Sequence, residues 1–165
     1  MEGPQEKSCC FTGHRPGEKL PAEAAVRRLL RQELQNALED GYTRFISGMA
    51  RGFDIWAAEE VVRLRGEHPQ LRLVCAVPYP GFEKGWKKEW RNRFDQLLDQ
   101  ADETVFVNRS RLHGGVYQQR NRWMVEQSQR VIALYAGGPG GTWNTVHLCL
   151  KAGVELRLLR LPDRP

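Results

Sequence analysis

The chain has 165 residues, 41% of them hydrophobic, and carries 25 Lys and Arg against 20 Asp and Glu, a net charge of +5. That length fits one compact domain, residues 1–165, with its own core, and no Gly/Ser linker, low-complexity tract or repeat divides it. The apolar runs are too short to span a bilayer and MEGPQEKS lacks a basic head followed by a hydrophobic core, so a soluble, cytoplasmic protein without membrane partners is expected; the charge excess is spread along the chain and does not separate a nucleic acid from a small phosphorylated ligand.

Lys7 to Thr12 (KSCCFT) reads as a first strand that ends at Gly13-His14-Arg15-Pro16. Pro16 biases Arg15 away from the helical region, so the chain turns there with His14 and Arg15 on the connection. Such a connection, after a central strand, is where open α/β sheets bind ligands. Arg15 is open to phosphate recognition or to a plain surface role, and His14 to a structural hydrogen bond or to catalysis. Cys9 and Cys10, adjacent in the strand, point to opposite faces. Cys75 and Cys149 sit in apolar surroundings without metal-ligand spacing, so all four are expected as reduced, buried thiols, and no metal site is expected.

Pro21 to Asp40 reads as an amphipathic helix, with Val26, Leu30, Leu34, Ala37 and Leu38 on one face and Arg27, Arg28, Arg31 and Gln35 on the other, a solvated surface or a binding patch. Pro21 suits the first turn and Gly41 the stop. Next comes the stretch from Phe45 to Val62, FISGMARGFDIWAAEEVV, which reads as strand, glycine turn and helix, with Asp54 as the N-cap and the helix running to about Arg65. A helix N-terminus exposes unpaired N–H groups, and Gly48 and Gly52 let a ligand approach the backbone, which suits a phosphate; the same order also makes an ordinary βα connection. Trp56, in the first turn, is a stacking surface or core.

Leu71 to Val77 is a strand ended by Pro78 and Pro80, and Tyr79 and Phe82 in the loop beyond it offer a place for a base to stack. Trp86, Trp90, Phe94 and Leu97 recur at helical spacing, as an aromatic core stripe or the face of a homodimer. Glu103 to Asn108 is a fourth strand and Arg109 to Gln119 a polar loop. Arg120 to Gln127 is a helix, Arg130 to Tyr135 a strand, Asn144 to Ala152 a helix, and Glu155 to Leu161 a last strand. Strands alternating with helices imply an α/β fold with a mostly parallel, doubly wound sheet.

Between the strand at Arg130 and the helix at Asn144 lies AGGPGGT, Ala136 to Thr142. It is neither a Walker A loop nor a dinucleotide GxGxxG with an acidic partner. Successive glycine N–H groups, Gly140 and Gly141 among them, form an anion nest, and the Thr142 hydroxyl adds a donor.

SGMARGFD followed by WAAE resembles the SGxARGID segment of the DNA-processing protein A (Smf) Rossmann domain, and PGGT is similar to the PGGxGT loop of the lysine-decarboxylase-like LOG proteins. With CFTGHRP, RNRWMVEQS and ALYAGGPGGTWNTV in order, the chain from about Cys9 to Leu161 resembles the YpsA/YspA-like branch of the SLOG superfamily. That resemblance implies a Rossmann-like, three-layer α/β/α domain binding a nucleotide or a nucleotide-derived molecule such as ADP-ribose or NAD, with no required cofactor. The ligand-facing residues it implies are Gly13, His14, Arg15, Ser47, Gly48, Gly52, Asp54, Arg120, Asn121, Gly140, Gly141 and Thr142. LOG phosphoribohydrolases carry glutamates just after the glycine loop, whereas TWNTVHLC here has no acid.

Three functions of different class follow. The first is a binding or sensing module for a nucleotide-like ligand. The second is a nucleotide hydrolase with Asp54, Glu59 or His14 as acid or base. The third is a single-stranded nucleic-acid binder using Arg15, Arg51 and the aromatic loops.

Overall fold

The computed structural model describes residues 6–111 and 114–160. Strand β1 (Lys7–Thr12) is buried from Ser8 onward because it lies in the middle of the sheet, with β2 (Tyr42–Ser47) on one side and β5 (Arg130–Ala133) on the other. Beyond β2 follow β3 (Arg72–Val77) and β4 (Glu103–Phe106), and beyond β5 follows β6 (Glu155–Leu158). The order is β4-β3-β2-β1-β5-β6 and every pairing is parallel. This is the Rossmann-like α/β arrangement expected from the alternating pattern.

Side-chain alternation along the strands divides the core in two. Cys9, Phe11, Phe45, Leu73 and Cys75 pack with α1 (Glu23–Glu39), α2 (Phe53–Arg65) and α3 (Lys88–Gln100). Cys10, Ile46, Val74, Ala76, Val131 and Ala133 pack with α4 (Val116–Glu126) and α5 (Gly141–Ala152) on the opposite face. Cys9 and Cys10 therefore do serve opposite layers. All four cysteines are free and buried, and burial pushes the Cys10 and Cys75 thiols up to about 12, so they remain protonated packing groups. Among the described residues, no helix is long and apolar enough to cross a membrane.

The chain winds one way from β1 to β4 and then returns through α4 to place β5 on the other side of β1. Strand order therefore reverses between β1 and β5, and the crevice outside their carboxyl ends is where an open sheet of this kind takes a ligand.

Several expected boundaries move. Pro21 lies outside α1, whose N-cap is Ala22, and α5 starts at Gly141 instead of Asn144. Helix α4 starts at Val116 because Gly115, at φ +82°, turns the chain into it; the polar YQQ that follows hides this in the sequence. Strands β4, β5 and β6 stop short of the expected ends, and Leu161 lies outside the described residues. The stripe of Trp86, Trp90, Phe94 and Leu97 packs onto the core of this chain, with Phe94 and Leu97 buried and the two tryptophans half-buried.

Part of the basic face of α1 is tied to its neighbours, while Arg28 lies on the exposed surface. Arg27 and Arg31 reach across to α2, where Glu60 receives Arg27, Arg31 and Arg63, while Glu59 receives Arg27 and Arg93. Burial pushes the Glu60 carboxyl up, but the hydrogen bonds from Arg31, Arg63 and Arg27 outweigh it and hold the group below its usual value. Glu59 thus serves to clamp α1, α2 and α3 together and does not reach the crevice, which removes it as an acid–base candidate.

The entry to α2 depends on a glycine. Gly52 is the N-cap at φ +90°, and a Cβ there would lie 2.7 Å from the His14 carbonyl oxygen, the same oxygen that accepts the Phe53 N–H at 3.2 Å. Gly52→Ala is expected to lower stability by about 2–3 kcal/mol in urea unfolding, since it adds both backbone strain and a clash. Gly85→Ala, where a Cβ meets nothing within 4 Å, should stay within about 0.5 kcal/mol of the parent.

Candidate functional site

Four segments meet at the crevice: the loop after β1, the β2–α2 loop, the first turns of α4, and the loop from β5 into α5. Between them lies a cleft of about 800 Å³. Of the residues expected to face a ligand, Gly13, His14, Arg15, Asp54, Arg120, Asn121, Gly140, Gly141 and Thr142 line it. Ser47, Gly48 and Gly52 do not, and each has a supporting task instead.

Those tasks are visible in the β2–α2 loop. The Ser47 hydroxyl accepts the Met49 N–H at 3.2 Å and donates to the Asp54 carbonyl at 2.9 Å. Met49 is held at φ +62°, fully buried, a conformation that a non-glycine residue keeps only where its surroundings over-determine it. Arg120, on α4 and 4% exposed, donates through Nη1 to the Gly48 carbonyl and through Nε to Asn121 Oδ1 at 2.7 Å. A Cβ on residue 48 would sit 2.9 Å from Arg120 Nη1, so this glycine makes room for the guanidinium. Gly13 likewise makes room for the Phe53 ring.

Asp54 is not the N-cap. Gly52 takes that place, and Asp54, two residues further on and 7% exposed, borders the cleft. Its Oδ2 accepts the Ala50 N–H at 3.3 Å while Oδ1 has no hydrogen-bond partner. Burial raises its pKa to about 6, against the opposing pull of Arg120, the Ala50 N–H and Arg15. Burial also draws down the Arg120 guanidinium, and Asp54 opposes this. Asp54 is thus a carboxyl that changes charge near neutrality with one oxygen left for a donor.

His14 is occupied. Its Nε2 accepts the Ala136 N–H at 2.9 Å, which places the proton of the neutral ring on Nδ1, and the ring stacks on Tyr135 at 6.1 Å. Burial and then Lys19 lower its pKa, keeping it neutral as a tie between the β1 and β5 loops. Lys19 makes a parallel tie, from Nζ to the Gly137 carbonyl at 3.1 Å; a Cβ on residue 138 would meet that Nζ at 2.5 Å.

Helix α5 opens directly on the cleft. It has no side-chain cap and no acidic residue in its first turn, so its N–H groups and positive dipole end are uncompensated there. Gly140 is extended into the positive-φ region at +141°, whereas Gly141 has an ordinary φ and a Cβ on it would meet nothing within 4 Å of protein. Thr142 is buried at the cleft wall. Arg15, Lys19 and Arg120 are the cations of the lining and Asp54 and Glu18 the carboxylates. Among the described residues, no three His, Cys, Asp or Glu side chains converge to hold a metal.

The expected stacking residues behave differently from one another. Trp56 belongs to the core. Tyr79 and Phe82 line a separate, adjoining cavity. An exposed ring passed over in the sequence is Trp143, 41% exposed in the first turn of α5 directly after GGPGGT; it lines a neighbouring hollow with His147 and not the cleft itself. Tyr117, Lys19 and Asn144 were also missed: as single polar residues in polar surroundings they carry no signal until the fold brings them together.

The sequence profile of the YspA SLOG family matches residues 9–146. The chain belongs to this family. Its relatives include UPF0398 proteins of Bacillus thuringiensis strain Al Hakam and Bacillus cereus strain Q1, each 28% identical over 136 residues, which is 78% of this chain and 74% of theirs. The fold is similar to DNA processing protein A from Streptococcus pneumoniae, with a TM-score of 0.64, 15% identity, and coverage of 95% of this chain and 51% of that one. It is also similar to DNA processing protein A from Helicobacter pylori, described for its single-stranded DNA binding mode (TM-score 0.62, 18% identity, 96% and 66% covered). A third likeness is to the molybdenum cofactor binding protein of Rippkaea orientalis (TM-score 0.59, 18% identity, 94% and 77% covered). The family member thus spans about half of the Streptococcus protein, and at these identities the likeness is one of fold.

The Asp54 geometry fixes a sign for pH dependence. A folded-state pKa raised from 3.8 to about 6 means the native protein holds a proton that the unfolded chain has released, so stability falls as pH rises from about 4 to about 6 and is level above. His14 contributes with the opposite sign, its depressed pKa costing stability as pH falls below its unfolded value. Asp54→Asn is expected to remove the first dependence alone. Urea unfolding at pH 7.5 should show a gain on the order of 1–3 kcal/mol that shrinks to nothing near pH 4; an unchanged difference across that range would contradict the assignment.

Proposed function

We propose that the cleft binds a nucleotide-derived small molecule through its phosphate. The observation that carries this reading is the uncapped N-terminus of α5 facing Arg15, Lys19 and Arg120 across the strand-order reversal, with the orphan Oδ1 of Asp54 in the same wall. Backbone N–H groups and guanidiniums receive the phosphate oxygens, and Asp54, an acceptor beside donors for phosphate, takes a hydroxyl as on ribose. Trp143, exposed beside the same helix start on a hollow that shares Gln118, Asn121 and Asn144 with the cleft, offers a ring to the base. Binding of single-stranded DNA by a protein of similar fold, and of molybdenum cofactor by another, supports a phosphorylated partner without choosing it.

Asp54 also favours a second reading, hydrolysis of the nucleotide's glycosidic or phosphate bond, since a carboxyl titrating near 6 suits proton transfer. Against it stands the helix after the glycine loop, where Thr142 to Leu150 supplies no carboxylate for the charge that develops on a ribose losing its base.

AMP, ADP-ribose or NAD at millimolar concentration is expected to raise the melting temperature. A ligand at 100 times its Kd adds about 2.7 kcal/mol, or roughly 5–10 °C for a chain of this size. Gly141→Val should abolish the shift and leave the unliganded melting temperature in place, because the space its side chain enters is cleft and not protein. No shift with any of the three sinks the binding reading. Adenine released from AMP above background, and lost in Asp54→Asn, promotes the hydrolase.

A further inference from the structure

A second cavity, of about 390 Å³, adjoins the cleft and shares Arg15, Ala50 and Tyr117 with it. Its charged lining has one sign: Arg15, Arg51, Lys84 and Arg111, with no carboxylate. Among the described residues none of these four joins an ion pair, whereas Arg27, Arg31, Arg63 and Arg93 are all paired with glutamates. Like charges gathered around one hollow repel each other, and an anion entering it relieves that repulsion.

The rings of this cavity say which anion-binding groups it presents. Tyr79 and Phe82, 9% and 8% exposed, meet edge to face at 5.8 Å, and the Tyr79 hydroxyl lies 3.3 Å from that of Tyr117. The Arg15 guanidinium lies over Tyr117 at 5.5 Å and that of Arg51 over Trp86 at 5.7 Å. Tyr117 and Trp86 thus each carry a guanidinium over the ring, while Tyr79 and Phe82 are buried. Gly81, at φ +88°, leaves room for the Lys84 stem, whose Cε would stand 3.2 Å from a Cβ there. What remains open to a ligand is a set of N–H donors, the chemistry that recognises a phosphoryl group.

We infer that this cavity is a phosphoryl subsite continuous with the cleft, so that the ligand carries two phosphoryl groups. One sits at the start of α5, the other is held by Arg51, Lys84 and Arg111, and Arg15 stands between them. A nucleoside bisphosphate is the ligand class. The inference rests on the cleft being a nucleotide site.

Calorimetric titration at low ionic strength with AMP and with adenosine 3′,5′-bisphosphate tests it, on the wild type and on Arg51→Ala/Lys84→Ala. Both altered residues line the second cavity only. The wild type is expected to bind the bisphosphate about tenfold or more tighter than AMP, the gain of one charge-assisted contact. In the double variant the ratio falls to about one while the AMP affinity holds. Wild type that binds AMP but gains nothing from the second phosphoryl group overturns the inference and leaves the cleft reading standing; binding of neither overturns both. Equal weakening of AMP in the variant also overturns it. So does capture of a single-stranded oligonucleotide through these two cations without any binding of the bisphosphate.

Discussion

The site is built on one buried contact, the Arg120 guanidinium donating to the Gly48 carbonyl. Arg120 belongs to α4, which covers one face of the sheet, and Gly48 begins the loop to α2, which covers the other. The contact therefore spans the end of the sheet at the strand-order reversal and holds the two sides of the cleft in register. Burying a guanidinium is costly unless its donors are used and an opposite charge is near. Gly48 supplies the acceptor and the space, Asn121 a second acceptor, and Asp54 the charge. The strained Met49 and the Ser47 bridge follow from the same demand, since the loop must present a carbonyl inward while Ala50 turns its N–H to Asp54.

Charge is sorted by position in the fold. On the outer face of α1 and α2, arginines find Glu59 and Glu60; at the far end of the sheet Arg130 pairs with Asp40 and Glu155. The ion pairs thus hold helices and strand starts together. At the carboxyl ends of the strands the lining cations outnumber the carboxylates, so a modest net charge spread along the chain becomes a cationic edge. Counting charges along the sequence could not show this, because Arg27 and Arg51 look alike until their neighbours are known.

What the sequence made legible was whatever is set by local pattern. The first strand falls on Lys7–Thr12 as read, the two glycine turns do follow parallel strands, and both open helices. What stayed hidden depends on contacts between distant segments. An aspartate ahead of an apolar helix matches an N-cap pattern, yet Gly52 at positive φ caps α2 because the His14 carbonyl must approach it closely, and this frees Asp54 for the cleft. Glu59 reads as a helix carboxylate near a ligand loop, but the helix phase turns it toward Arg27 and Arg93. Trp56 is the fourth residue of α2 and Trp143 the third of α5, and helix phase together with the layer each helix packs against makes one core and leaves the other exposed.

Asp54 is the residue on which binding and catalysis divide, and the field in the cleft bears on which it serves. Arg120 and Arg15 now oppose the upward push of burial and leave its pKa at about 6. The phosphate proposed for the start of α5 would add negative charge to the same low-dielectric space and neutralise part of that opposition, which would raise the Asp54 pKa further. A general base must be ionised when its substrate is in place, and the ligand itself works against that state. With Oδ2 turned to the Ala50 N–H, Oδ1 is the oxygen left to meet a ligand hydroxyl, as acceptor when the carboxyl is ionised and as donor when it is protonated.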